Sequence, residues 1–185
     1  MDKHTRKRRR RFATLHESLL AAALVAVVTN LTVPSVNAML QNAATSREAY
    51  ALATALTAAR EAAVSRSRPV MVCGLASREE TAPARCAPDA TQWRHGWMVY
   101  VPASRAGNFE GGSDEVLHVN VYSRADLGIR TDLDANALRF LPDGSALVDG
   151  ESHFHIAVAG GGARTRDVVI SGVGRARIAD ARPST

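Results

Sequence analysis

The stretch Arg6-Lys7-Arg8-Arg9-Arg10-Arg11-Phe12-Ala13-Thr14-Leu15-His16-Glu17-Ser18-Leu19-Leu20, continuing through an apolar run to Val33-Pro34-Ser35, decides how this chain is read. Seven basic residues crowd the first eleven positions and then stop at Phe12. A basic stem before a lone apolar segment is the signature of a chain whose N-terminus stays on the cytoplasmic side of a membrane. One carboxylate, Glu17, stands at the mouth of the run Leu19–Val33. A carboxylate at the edge of such a segment is costly and calls for a partner. The expectation is a chain inserted in a membrane that meets another chain there. A span needs about 20 residues, so the run is marginal, and Thr29, Asn30 and Thr32 weaken it further. The alternative is a buried core helix. A secretory signal peptide fits less well, because Asn37-Ala38-Met39-Leu40 continues helically instead of offering a small-residue cleavage site.

With 185 residues there is room for one modest domain plus an anchor. The net charge of +5 is misleading. Residues 1–11 alone carry +6, which leaves the rest of the chain at −1. Bulk charge therefore gives no argument for nucleic acid, and the basic excess reads as a topology signal.

From Thr14 to about Arg66 the sequence predicts one long helix. Its second half places Ala49, Leu52, Leu56, Ala59 and Ala63 at spacings of three or four, an apolar stripe facing a domain. Arg47, Glu48, Arg60 and Glu61 fall off that stripe. Pro69 requires the helix to stop near Arg68. Beyond it the period changes to two. Strands are expected at 70–73, 97–101, 116–121, 138–141, 153–158 and 167–171, with a last edge strand or tail at 175–178. Pro142-Asp143-Gly144-Ser145 is a strong turn signal. One helix followed by six or seven strands predicts an α+β fold, with the helix packed on antiparallel sheet. Cys73 and Cys86 bracket a polar loop without metal or redox spacing. In an exported domain they read as a disulfide worth about 3 kcal/mol; the alternative is two unpaired thiols.

Thr14-Leu15-His16-Glu17-Ser18-Leu19-Leu20 resembles the T-L-x-E-x-L-L core of a type IV prepilin or pseudopilin signal. In that family a peptidase cuts after a glycine, and the glutamate is the fifth mature residue. That register makes Ala13 the first mature residue and puts Pro34, in Val33-Pro34-Ser35, at the family's helix-bending proline. The residue before the cut is Phe12 where the family has glycine. The later landmarks fall in order: Ala59-Arg60-Glu61-Ala62-Ala63, Val72-Cys73, Cys86, Trp93-x-x-Gly96-Trp97, Phe140-x-x-x-Gly144, and Val169-Ile170-Ser171-x-x-Gly174-Arg175-x-Arg177. That order, over residues 13 to 178, resembles the GspH/FimT minor pseudopilins and minor pilins.

The resemblance implies a type IV pilin-like fold in five parts. Residues 1–12 are a basic cytoplasmic leader, 13–40 the transmembrane and assembly half of the helix, and 41–68 its periplasmic half. Residues 69–178 are a β-rich domain, and 179–185 a tail. It implies a structural subunit of a periplasmic pseudopilus or pilus, serving type II secretion or type IV pilus biogenesis. The implied partners are other pilins or pseudopilins, the inner-membrane assembly platform, prepilin peptidase and the inner membrane itself. Cleavage and methylation would fall at Phe12 and Ala13. Glu17 would pair with the N-terminal amine of a neighbouring subunit. In the minor-pilin branch a G-R-x-R tail is associated with DNA contact in natural transformation. That makes Arg175 and Arg177 candidates for phosphate contact, with Arg164, Arg166 and Arg182 adding local charge. The alternative is a solvated charge pair on an edge strand. Few aromatics accompany these arginines, so no stacking platform for single strands is expected.

Other candidates are thinner. His153 and His155 alternate on one strand and share a face, but no third ligand stands at a persuasive spacing, and no metal is expected. Asp114, Glu115 and Gly111-Gly112 lack a calcium-loop pattern. Gly160-Gly161-Gly162 lacks the Lys and Ser/Thr of a phosphate loop. Trp93 and Trp97 read as core anchors. No serine sits in a nucleophile context, so neither enzyme activity, cofactor nor small-molecule substrate is expected.

Overall fold

The computed structural model describes residues 5–78, 84–89, 91–104, 109, 111–133, 135, 137–159 and 164–180, with side chains for all of these except 5–15, 27–35, 92 and 180. The sequence landmarks Lys3, Gly160-Gly161-Gly162 and Arg182 lie outside the described residues. The chain divides into two compact units, 1–40 and 41–185. Helix α1 (Thr5–Arg66) begins in the first and ends in the second.

In the first unit every side chain from His16 to Ala26 is exposed. Leu19, Leu20, Leu24 and Val25 show 60–67% of their surface. Among the described residues no helix is long and apolar enough to cross a membrane; the run Leu19–Val33 includes seven residues whose side chains lie outside the description.

The second unit opens with the remainder of α1. Its stripe of Ala49, Leu52, Leu56, Ala59 and Ala63 is buried throughout, joined by Ala55. These residues share one core cluster with side chains from both sheets. The helix ends in a left-handed residue, Ser67 (φ 51°). The Ser67 amide donates to the Val64 carbonyl (3.2 Å) and the Arg68 amide to the Ala63 carbonyl (3.3 Å). This paired closure satisfies carbonyls that would otherwise be orphaned, and Pro69 then prevents continuation.

Two antiparallel sheets follow. The first contains β1 (Val70–Gly74), β3 (Gly96–Val101), β4 (Glu115–Val121) and β6 (Leu138–Phe140), in the order β4-β3-β1-β6. The second contains β2 (Gln92–Trp93), β5 (Leu127–Thr131), β7 (Glu151–Val158), β8 (Arg166–Ser171) and β9 (Ala176–Asp180), in the order β2-β5-β7-β8-β9. Strands β1 and β3 are buried at every position because both of their faces are covered. One face joins the main core with Leu52, Leu56, Trp93, Trp97, Phe140 and Phe154. The other packs Met71, Cys73, Met98 and Tyr100 under Cys86 and Phe109. Strand β7 alternates cleanly: Ser152, Phe154, Ile156 and Val158 are buried, while Glu151, His153, His155 and Ala157 are not.

The sequence pattern anticipated the helix, its stop and the α+β class. It missed β2 and β5, and it did not resolve the strands into two sheets. Strand β5 is short, contains Gly128 and is flanked by charged turns, so its alternation (Leu127, Ile129 and Thr131 buried) carries little weight in one dimension. Strand β2 is only two residues long. Both are recruited by pairing with remote partners, and no local periodicity records that.

Candidate functional site

Glu17 stands on α1, exposed, among the exposed leucines and valine of the first unit. Phe12, Ala13 and Pro34 are also in α1, and their side chains lie outside the described residues. The described side chains 16–26 present an exposed, mostly apolar helical surface that carries the carboxylate of Glu17.

Cys73 and Cys86 are bonded, with Cα atoms 5.6 Å apart. The bond ties the fully buried end of β1 to the polar loop. Backbone hydrogen bonds reinforce it: the Ala76 amide donates to the Arg85 carbonyl (2.9 Å) and the Ala87 amide to the Gly74 carbonyl (2.7 Å). Trp93 and Trp97 are fully buried. Trp93 packs on Phe154 at 5.1 Å and Trp97 on Tyr122 at 5.7 Å, as core anchors.

The tail arginines lie on the turn and edge strand that close the second sheet. Arg175 is exposed, one residue before β9; Arg177 is exposed on β9 and paired with Glu151 of β7 at 3.0 Å. The turn is held by a junction of three remote segments. Gly174 has φ 77°, and a Cβ there would stand 2.0 Å from the Gly144 carbonyl oxygen. That same oxygen accepts a hydrogen bond from Arg60 Nε at 2.8 Å. Arg60 on the helix, Gly144 in the turn after β6 and Gly174 before Arg175 therefore form one contact.

Arg164 and Arg166 are placed elsewhere. Arg164 lies two residues before β8 and Arg166 is its first residue, in register with Asp180. Arg175 follows the other end of that strand, five residues on, which is about 17 Å of extended chain. The Arg164 segment is tied to the helix: its amide donates to Asn42 Oδ1 (2.7 Å), and its carbonyl accepts from the Thr45 hydroxyl (3.2 Å). The four arginines thus form two separate groups. The two carboxylates where the loop enters β4 are also engaged: Asp114 Oδ1 accepts from the Ala103 amide (2.7 Å), and Glu115, the first residue of β4, pairs with Arg66 (2.6 Å).

Three polar contacts escaped the sequence reading. Arg60 and Glu48 fall off the apolar stripe by spacing, yet Arg60 reaches Gly144, and Glu48 is 7% exposed. Asn120 Nδ2 of β4 donates to Glu48 Oε2 at 3.2 Å. Burial pushes the Glu48 carboxyl above its usual range; the Asn120 hydrogen bond and the Arg47 charge oppose that shift. The third contact joins His155 of β7 to Asp167 of β8, Nδ1 to Oδ1, at 2.8 Å. Each of these pairs is remote in sequence, so no spacing rule could have found them.

A family profile for the type II transport protein GspH matches residues 48–174. Curated protein sequences give no match. Two crystal structures of the type IV minor pilin FimU from Pseudomonas aeruginosa resemble the chain, each with a TM-score of 0.52. One is 23% identical and covers 71% of this chain and 89% of its own. The other, in a second crystal form, is 20% identical and covers 75% and 88%. At that level of identity the likeness is one of fold.

Proposed function

The chain belongs to the GspH family of type II transport proteins, and from that premise we propose that it is an inner-membrane minor pseudopilin or minor pilin built into a short periplasmic filament. The observation that carries this reading is the exposed first stretch of α1, with Leu19, Leu20, Leu24 and Val25 around the single carboxylate Glu17. In hydrocarbon a lone carboxylate is strongly disfavoured, and a neighbouring subunit's N-terminal amine would relieve it. Residues 13–40 serve as anchor and assembly helix, with the basic leader in the cytoplasm and the β-rich domain in the periplasm. The Cys73–Cys86 bond supports an oxidising compartment. Processing by prepilin peptidase would fall between Phe12 and Ala13, and the assembly platform would receive the mature helix.

Site-specific crosslinking in membranes tests the reading. Glu17→Ala should abolish crosslinks to partner subunits, while the melting temperature of the β-rich domain is unchanged, because an exposed side chain contributes little to stability. Normal crosslinking in that variant would reject the charge-pairing account.

A second reading, DNA contact by the tail, is favoured by the exposed Arg175 on a turn anchored through Gly174 and Arg60. It is weakened by the pairing of Arg177 with Glu151 and by the distance to Arg164 and Arg166.

A further inference from the structure

The outward row of β7 carries two imidazoles that neither reading uses. His153 and His155 lie two residues apart on a strand, so they project from the same face. Their rings are nearly parallel, 8° apart, with centroids separated by 6.0 Å. The side chain of His155 is 49% exposed. From the sequence this pair lacked a third participant. The fold supplies one from the next strand: Asp167, 4% exposed, whose Oδ1 stands 2.8 Å from His155 Nδ1.

We propose that His153 and His155 chelate a divalent transition ion of the Zn2+, Cu2+ or Ni2+ class, with Asp167 as the residue that orients His155 and water filling the remaining coordination positions. An ionised carboxylate only accepts hydrogen bonds, so Asp167 places the ring proton of His155 on Nδ1 and leaves the Nε2 lone pair directed away from it. A carboxylate behind the ligating imidazole is the recurrent support of metal-binding histidines: it sets the tautomer and raises the donor strength of the ring. It also accounts for a carboxylate buried on a strand of the second sheet.

Zinc–nitrogen bonds are about 2.0–2.1 Å long, so the two rings must tilt toward each other to share an ion. His155 is exposed and His153 half-buried, and neither belongs to the hydrophobic core. The ligand type, two imidazoles, selects imidazole-seeking ions over hard ones. Arg130 is in register with His155, and Glu151, the carboxylate next in the row, is held by Arg177. Asp132, beside His153, accepts at Oδ1 from the Ser152 hydroxyl (2.6 Å) and the His153 amide (2.7 Å), so its first oxygen is engaged as well, while imidazole donors suit Zn2+, Cu2+ and Ni2+ better than Mg2+ or Ca2+. Among the described residues no group of three or more His, Cys, Asp or Glu side chains is assembled for a metal. The site is therefore an exchangeable two-ligand chelate, not a structural centre.

Titration calorimetry of the full chain in detergent, stripped with chelator and then given Zn2+, tests the proposal. Wild type should take up one equivalent more than the His153→Gln/His155→Gln double variant, which allows for background binding by the other histidines. Asp167→Asn should keep that equivalent but weaken it about tenfold or more. Mg2+ in place of Zn2+ should give no heat attributable to the pair. Because Asp167 is buried, its variant is read beside a measurement on wild type. In that experiment Zn2+ should shift the ring resonances of His153 and His155, and those of His118 far less. Equal Zn2+ stoichiometry and affinity in wild type and the double variant would overturn the site. Unchanged affinity in a folded Asp167→Asn would overturn the orienting role.

Discussion

Replacing Gly174 by alanine probes the contact that holds the tail turn against the helix. Two costs add there. Gly174 has φ 77°, and an L-residue in that left-handed region costs about 1–2 kcal/mol. The new Cβ would also lie 2.0 Å from the Gly144 carbonyl oxygen, which is backbone and cannot simply rotate away. That oxygen must move, and it accepts the Arg60 Nε hydrogen bond at 2.8 Å. Losing a hydrogen bond to a charged group costs about 1.5–3 kcal/mol. Gly174→Ala should therefore destabilise the domain by about 2.5–5 kcal/mol. At about 2–4 °C per kcal/mol for a chain of this size, melting should fall by about 5–20 °C. Two controls separate the terms. Gly150 has φ 79°, but nothing lies within 4 Å of its added Cβ, so Gly150→Ala should show only the conformational cost of about 1–2 kcal/mol. Gly112 has neither a positive φ nor a neighbour within 4 Å, so Gly112→Ala should be nearly neutral. Arg60→Ala combined with Gly174→Ala should be less than additive, because both act on one carbonyl. Circular dichroism melts of the full chain in detergent supply the readout. If Gly174→Ala melts no lower than Gly150→Ala, the close approach to Gly144 carries no stability and the junction is refuted.

Three further outcomes are expected. The raised Glu48 carboxyl binds its proton more tightly in the folded chain than in the unfolded one, so its contribution to stability is present below the ordinary carboxylate range and is lost as pH rises through the raised value; melts across that range should show Glu48→Gln with a flatter pH dependence and a higher melting temperature at neutral pH, and parallel curves would exclude the buried-carboxylate account. Cys73→Ser with Cys86→Ser should cost about 3 kcal/mol, and non-reduced tryptic peptides should carry the two cysteines linked; freely alkylated thiols in protein isolated without reductant would contradict the bond. If the tail contacts DNA, gel shifts should show binding that weakens steeply with salt, and Arg175→Ala with Arg177→Ala should weaken it equally for unrelated sequences; a double variant that binds like wild type would make these arginines structural.

Much of this protein is legible in one dimension because its signals are local. The helical period and the Pro69 stop are contiguous signals, so the long α1 is foreseen from sequence alone. The Ala49–Ala63 stripe repeats with the helical period, and the α1 stop is written in Ser67-Arg68-Pro69. The cysteine pair brackets a loop short enough for its closure to be foreseen. The tertiary structure decided what depends on remote segments meeting. Strands β2 and β5 exist because a partner strand completes their hydrogen bonds, and the division into two sheets follows from that pairing. Arg60 and Glu48 look like solvated residues on the helical wheel. Only the approach of Gly144 and Asn120 gives them partners, because a long side chain can leave its own face to satisfy a distant polar group. The arginines near the C-terminus look like one cluster in sequence, yet the antiparallel register of β8 and β9 puts Arg164 and Arg166 at one end and Arg175 at the other. The pairing of His155 with Asp167 has the same origin: twelve residues separate them along the chain, and one strand register sets them side by side.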